Sequence, residues 1–182
     1  MSVLDRRMFL FSGLAAAACE PSAGAQDDGA GPGVALFDDP RIVPMGEETI
    51  DFAARSADWW RDRLTREEFR ILRQEGTERA GTSPLNDEER RGIYVCAGCA
   101  LPLFTSATKY ESGTGWPSFW APIEGALDTK ADYRLWTPRT EYHCARCGGH
   151  QGHVFEDGPR PTGQRWCNNG VALDFVPHPD AA

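Results

Sequence analysis

Positive charge is scarce in this 182-residue chain: 19 Lys and Arg stand against 27 Asp and Glu, a net charge of −8. So acidic a chain is a poor partner for a phosphate backbone, which argues against nucleic-acid binding. No apolar run is long enough to cross a bilayer as a mature helix; Met8 to Ala18 falls short of the roughly 20 residues needed. There is no internal repeat beyond two cysteine pairs. Turn formers, by contrast, are plentiful, with 19 Gly and 13 Pro, so turns should be frequent and helices few. A hydrophobic content of 41% supplies a normal core, and the length suits one domain with extras. Six cysteines are more than such a domain needs, so each requires a place.

Residues 1–25 read as an export signal. Asp5-Arg6-Arg7-Met8-Phe9-Leu10 is a twin-arginine pattern, an apolar run follows, and Ala23-Gly24-Ala25 is a small-x-small cleavage site. The twin-arginine route carries folded, often metal-loaded proteins and points to the periplasm. Ala16-Ala17-Ala18-Cys19 weakly resembles a lipoprotein box, so a lipid anchor at Cys19 is an alternative, and an uncleaved segment a third. Residues 26–45, with much Gly, Asp and Ala, read as a flexible linker, and 46–182 as the domain.

Within the domain, Ser56 can cap a helix carrying Trp59, Trp60 and Leu64. Thr65-Arg66-Glu67-Glu68 is a capping-box pattern opening a second, which Gly76 is placed to stop. A polar loop is expected from Glu75 to Asn86. From Gly92 onward the runs are short: Ile93–Val95, Leu103–Thr105, Tyr133–Trp136, His153–Phe155 and Val171–Val176, separated by Gly and Pro. The pattern predicts a mainly β domain of antiparallel strands behind short N-terminal helices.

Cys96-Ala97-Gly98-Cys99 and Cys144-Ala145-Arg146-Cys147 are two Cys-x-x-Cys knuckles. Four thiolates give tetrahedral zinc its full set with no open position, so the site would be structural, with one Zn2+ per chain. A pair of disulfides is the alternative in an oxidising compartment. Neither pair sits in a βαβ context, which argues against a thioredoxin-like role.

If the signal is cleaved, Cys167 is left over. A lone thiol is either buried and inert or reactive. Arg165 can lower its pKa, Trp166 can shield it, and Asn168 and Asn169 can donate hydrogen bonds. His150 and His153 lie in the same stretch. Their spacing puts them on opposite faces of a regular strand unless a turn at Gln151-Gly152 brings them together. The loop Ser112 to Trp120 carries Trp116, Phe119 and Trp120, either as core aromatics or as a wall for a small apolar group.

These residues together resemble the B-type methionine sulfoxide reductases. The likeness covers about residues 56–177. It is carried by Gly92-Ile93-Tyr94-Val95-Cys96, Ser112-Gly113-Thr114-Gly115-Trp116-Pro117-Ser118-Phe119, His150-Gln151-Gly152-His153-Val154-Phe155 and Gly163-Gln164-Arg165-Trp166-Cys167-Asn168-Asn169. The resemblance implies two antiparallel β-sheets, a four-cysteine zinc site away from the active site, and reduction of peptidyl methionine (R)-S-oxide during repair of oxidised proteins. It assigns Cys167 as nucleophile, with His150, His153 and Asn169 as its catalytic partners. Trp116, Phe155 and Arg165 are the expected substrate-binding residues. Where many members carry a resolving cysteine this chain has Thr114, which implies that an external thiol, such as a thioredoxin-like protein, reduces the Cys167 sulfenic acid. Gln151 stands where Leu is common, Trp166 where Tyr or Phe is, and Gly170 where Ser is; all three bear on the pocket rim. A monomer is expected. The competing readings are a zinc-knuckle binding module without chemistry, which would survive Cys167→Ser, and a thiol-disulfide exchange protein, which bound zinc would remove.

Overall fold

A computed structural model describes residues 38–47, 49–134 and 137–181. The expected export signal and the expected linker as far as residue 37 lie outside the described residues, as do Leu135 and Trp136.

Both expected helices form. In α1 (Ala57–Arg63) the Ser56 side chain accepts from the Trp59 N–H. In α2 (Arg66–Gln74) the Glu68 N–H donates to Thr65 Oγ1 at 3.2 Å and the Thr65 N–H donates to Glu68 Oε2 at 2.7 Å. Such a cap is worth about 1 kcal/mol. The helix ends on Glu75, in the left-handed region at φ 55°, one residue before the expected stop. Trp60, Ile71 and Leu72 carry the helices into the core.

The strands follow in chain order: β1 (Gly92–Cys96), β2 (Pro102–Thr105), β3 (Lys109–Tyr110), β4 (Ser118–Phe119), β5 (Leu127–Asp132), β6 (Arg139–Cys144), β7 (His150–Phe155), β8 (Arg165–Asn168) and β9 (Leu173–Pro177). One antiparallel sheet has the order β2-β1-β9 and the other β3-β4-β8-β7-β6-β5. Tyr94 and Phe104 from the smaller sheet meet Phe119 and Tyr142 from the larger, with Phe104 and Phe119 stacked at 4.1 Å. The expected two-sheet β architecture with short N-terminal helices is therefore present.

Three local expectations need correction. Of the run expected at 133–136, the described Tyr133 and Arg134 are not in a strand. β5 precedes it, Tyr133 is exposed, and the Arg134 N–H turns back to Asp132 Oδ1 at 3.0 Å. β5 is a polar edge strand, Leu-Asp-Thr-Lys-Ala-Asp, with no apolar alternation to reveal it. Val171 and Ala172 belong to a 3-10 turn, and β9 begins only at Leu173. The third concerns the described end of the linker, which is tied down. Ile42 is buried with Ile93, Val95 and Val176, and the Val43 N–H donates to the Ala100 carbonyl at 3.0 Å.

Candidate active site and thiol cluster

The larger sheet aligns one residue from each strand in a row. Tyr110 pairs with Ser118, Ser118 with Cys167, Cys167 with His153, His153 with Glu141, and Glu141 with Lys130. Directly opposed residues of antiparallel strands share a face, so Cys167 and His153 lie side by side. The alternate residues Phe119, Trp166 and Val154 face the core instead. Pairing at this point is close: a Cβ on Gly152 would lie 1.9 Å from the Cys167 carbonyl oxygen, so only glycine fits there.

His150 and His153 do share a face, although no turn brings them together. The β6–β7 register shifts between Tyr142 and His143, so that His143 opposes His150 and Gln151 is the extra residue of a β-bulge. The two rings meet edge-on at 5.6 Å. Each is held by a carboxylate: His150 Nδ1 lies 2.8 Å from Glu141 Oε1, and His153 Nε2 lies 2.8 Å from Asp132 Oδ2. Burial pushes both imidazoles below their ordinary pKa, and the carboxylates oppose it. They differ in access. His153 lines the cavity at Cys167, whereas His150 is 2% exposed and does not.

That cavity, about 240 Å³, is also lined by Trp116, Phe155, Arg165, Cys167 and Asn169. Burial pushes the Cys167 thiol up; the Arg165 charge, and hydrogen bonds from Thr114, Arg165 and Ser118, pull it down. Arg165 is set by Asp157, with Nε and Nη2 donating to its two carboxylate oxygens at 2.8 and 2.9 Å. Thr114 and Ser118 are linked through Ser112 Oγ, 2.8 Å from each hydroxyl. Trp116 Nε1 donates to the Glu78 carbonyl at 3.3 Å, which turns the indole into the cavity wall. The aromatic loop thus divides: Trp116 lines the cavity and Phe119 is core. Asn169 is clamped, its Oδ1 accepting from the Glu78 N–H and its Nδ2 donating to the Gln151 carbonyl, both at 2.9 Å.

Several neighbours act elsewhere than expected. Trp166 does not shield Cys167; strand alternation turns it onto Tyr142, with ring centroids 5.0 Å apart. Asn168 borders the cavity but its amide is taken up inward, its Oδ1 accepting from the Tyr142 hydroxyl at 2.8 Å and its Nδ2 donating to the Asn169 carbonyl. Gln151 points at the thiol cluster rather than the rim, its Nε2 donating to Cys96 Sγ at 3.4 Å. At Gly170 a Cβ would lie 1.8 Å from Ser83 Oγ, so Ser83 fills that space here. Sequence reasoning missed Asp132, Glu141, Glu78, Ser112 and Ser118. Only their register and loop closure, neither written locally, bring them to the site.

Cys96 ends β1 and Cys144 ends β6, so the cluster joins the two sheets. The four Sγ atoms lie within 4.8 Å of one another, with Cys96–Cys147 at 3.7 Å and Cys99–Cys144 at 3.5 Å. A tetrahedron with 2.3 Å metal–sulfur bonds has edges of about 3.8 Å, so the donor set fits one metal ion. The same separations far exceed the roughly 2.05 Å of a disulfide. Each knuckle is followed by a left-handed residue, Ala100 at φ 60° and Gly148 at φ 66°. Arg146, inside the second knuckle, reaches across to donate to the Cys99 carbonyl at 2.9 Å.

Fold and site define a small two-sheet β protein with one cavity-facing thiol, built around a separate four-cysteine clamp. Residues 64–177 match the SelR domain. Peptide methionine sulfoxide reductase MsrB of Leptospira interrogans is 52% identical over 122 residues, 66% of this chain and 93% of that protein. The MsrB of Leifsonia xyli is 51% identical over 126 residues, 68% of this chain and 91% of its own. That of Methanosarcina mazei is 48% identical over 127 residues, 69% and 91% respectively. The chain belongs to this family, the B-type methionine sulfoxide reductases.

Proposed function

We propose that this protein reduces the R epimer of methionine sulfoxide in oxidised peptides and proteins, through Cys167. The observation that carries the reading is the pairing of Cys167 with His153 on one sheet face, inside a cavity walled by Trp116. Trp116 and Phe155 receive the ε-methyl group. Asn169, held rigidly by Glu78 and Gln151, contributes its remaining N–H to the sulfoxide oxygen.

In the proposed step Cys167 Sγ supplies an electron pair to the sulfoxide sulfur while the oxygen takes a proton. His153 is the donor because it lines the cavity; His150 supports it from behind. The methionine sulfur–oxygen bond breaks as the protonated oxygen passes to Cys167 Sγ, so the thioether leaves as methionine and Cys167 is left as a sulfenic acid, a reversible oxidation state. Methionine sulfur gains the two electrons that Cys167 loses. Two equivalents of external thiol then return Cys167 to the thiol, releasing water and a disulfide. Thr114 beside Cys167 favours a thioredoxin-like reductant over an internal partner, since the other described cysteines all belong to the cluster.

Cys96, Cys99, Cys144 and Cys147 would hold one structural zinc, which supplies a cross-link between the sheets and no open coordination position. Residues 1–25 support export by the twin-arginine route, with lipidation at Cys19 as the alternative; fractionation of wild type and Cys19→Ala separates the two.

The test is turnover of separate R and S epimers of a peptidyl methionine sulfoxide with dithiothreitol as reductant, for wild type and Cys167→Ser. Wild type should consume R alone and Cys167→Ser neither. Turnover of S alone, or activity that survives the substitution, would overturn the reading.

A further inference from the structure

His153 cannot orient itself. An imidazole on a strand turns about two side-chain bonds, so a fixed partner decides which nitrogen faces the cavity. The residue that fixes it comes from two strands away. Asp132, the last residue of β5, reaches across β6, and its Oδ2 lies 2.8 Å from His153 Nε2. The carboxylate is itself held at both oxygens. Oδ1 accepts from the Arg134 N–H at 3.0 Å, and Oδ2 accepts from Arg139 Nη2 at 2.8 Å. Its side chain is 4% exposed.

An ionised carboxylate only accepts hydrogen bonds, and these donors keep Asp132 ionised. The hydrogen of a neutral His153 must therefore sit on Nε2, which leaves Nδ1 unprotonated. Among the described residues no hydrogen bond reaches Nδ1, so it is left to the cavity that His153 shares with Cys167. We propose that Asp132 is the positioning residue of the reaction, fixing the Nε2–H tautomer of His153 so that Nδ1 handles the proton. The inference rests on the reading of Cys167 and His153 given above. Nδ1 takes the proton of the Cys167 thiol, giving thiolate and imidazolium. The imidazolium then returns that proton to the sulfoxide oxygen as the thioether leaves. Asp132 stays ionised throughout and stabilises the imidazolium as a counter-charge. Cys167, His153 and Asp132 thus come from β8, β7 and β5, with Arg139 of β6 setting the carboxylate.

The groups facing His153 are Asp132 from β5, Glu141 and Arg139 from β6, His150 from β7, and Cys167 and Arg165 from β8. Asp132→Asn removes one negative charge from this set and keeps the shape. With the R epimer and dithiothreitol, kcat/KM should fall roughly 10- to 100-fold. Both limbs of the pH–rate profile should move to lower pH, because the shared proton is held less firmly. His153→Ala and the double variant should be equally slow, since Asp132 acts only through His153. Multiplicative losses, or an unmoved profile, would overturn the proposal. Imidazole nitrogen chemical shifts of the unsubstituted protein test the tautomer without any variant. They should show Nε2–H for His153 at neutral pH, and Nδ1–H would sink the idea. This measurement needs no substrate. Failure of the epimer assay with the expected tautomer present would count against the reductase reading and leave the Asp132–His153 geometry standing.

Discussion

Gln151 Nε2 donates to Cys96 Sγ at 3.4 Å, while the carbonyl oxygen of the same residue accepts from both the N–H and Nδ2 of Asn169. A single bulge residue therefore touches the thiol cluster and the segment that follows Cys167. Donors to a cluster thiolate hold it in place and lower its basicity. Gln151→Leu removes that donor. It should cost about 1 kcal/mol in urea unfolding and speed transfer of zinc to a chromophoric chelator by roughly tenfold. Equal release rates would remove Gln151 from the support of the cluster.

The clamp predicts a thiol count. With zinc bound, Cys167 should be the one described cysteine open to a disulfide reagent, because Cys96, Cys99, Cys144 and Cys147 are buried. Stripping zinc with acid and chelator should release four more thiols and lower the melting temperature. Cys96→Ser should lose the metal and Cys167→Ser should keep it. A metal content that follows Cys167 would contradict the separation of the two sites.

Reactivity of Cys167 is a contest between burial, which raises its pKa, and Arg165, Thr114 and Ser118, which lower it. Alkylation by iodoacetamide should accelerate as pH rises through and beyond the ordinary thiol range. Arg165→Met removes the largest lowering influence, so its rate at neutral pH should drop by roughly tenfold, about one pKa unit. Thr114→Val should move the midpoint upward by less. A rate unchanged by Arg165→Met would mean that the guanidinium serves Asp157 and not the thiol.

Acid stability follows from the same groups. The Arg134 N–H, then His153 and Arg139, hold the Asp132 carboxyl well below the usual carboxylate range. A carboxyl lowered on folding stabilises the protein above its unfolded value, near 4, and that stability is lost as pH falls further. Both His150 and His153 are lowered by burial, so the unfolded chain takes their protons first. Stability should therefore decline on the acid side in two stages, below about 6.5 and again below about 4. Urea midpoints across pH would reveal the stages, and Asp132→Asn should flatten the lower one.

The sequence made the helices, the knuckles and the cavity-facing thiol legible, because each is written locally: Ser56 and Thr65 as caps, the Cys-x-x-Cys pairs by spacing, and Cys167 by its lack of a partner. The two-sheet form was legible through resemblance and through turn density. What stayed hidden was pairing. β5 is polar along its exposed length, so no hydrophobic rhythm marked it, and with it went Asp132. The bulge at Gln151 was hidden for a similar reason. An extra residue changes which side chains share a face without changing composition, so His150 and His153 gave the right pair for the wrong geometric reason. Trp166 lies off the cavity because adjacent residues on β8 face opposite ways, and Asn168 borders the cavity but spends its amide on Tyr142 and Asn169.

The row Tyr110, Ser118, Cys167, His153, Glu141, Lys130 crosses all six strands of the larger sheet, one residue from each. Its members are locked by ladder hydrogen bonds, and the turns between their strands carry Thr114, Trp116, Arg134, Cys147 and Asp157. Recutting one of those turns would disturb the cavity or the thiol cluster. Sliding any one strand by a single residue would turn its member to the opposite face and break the line. Ladders and these turns therefore define the site together, and an insertion in either should break it.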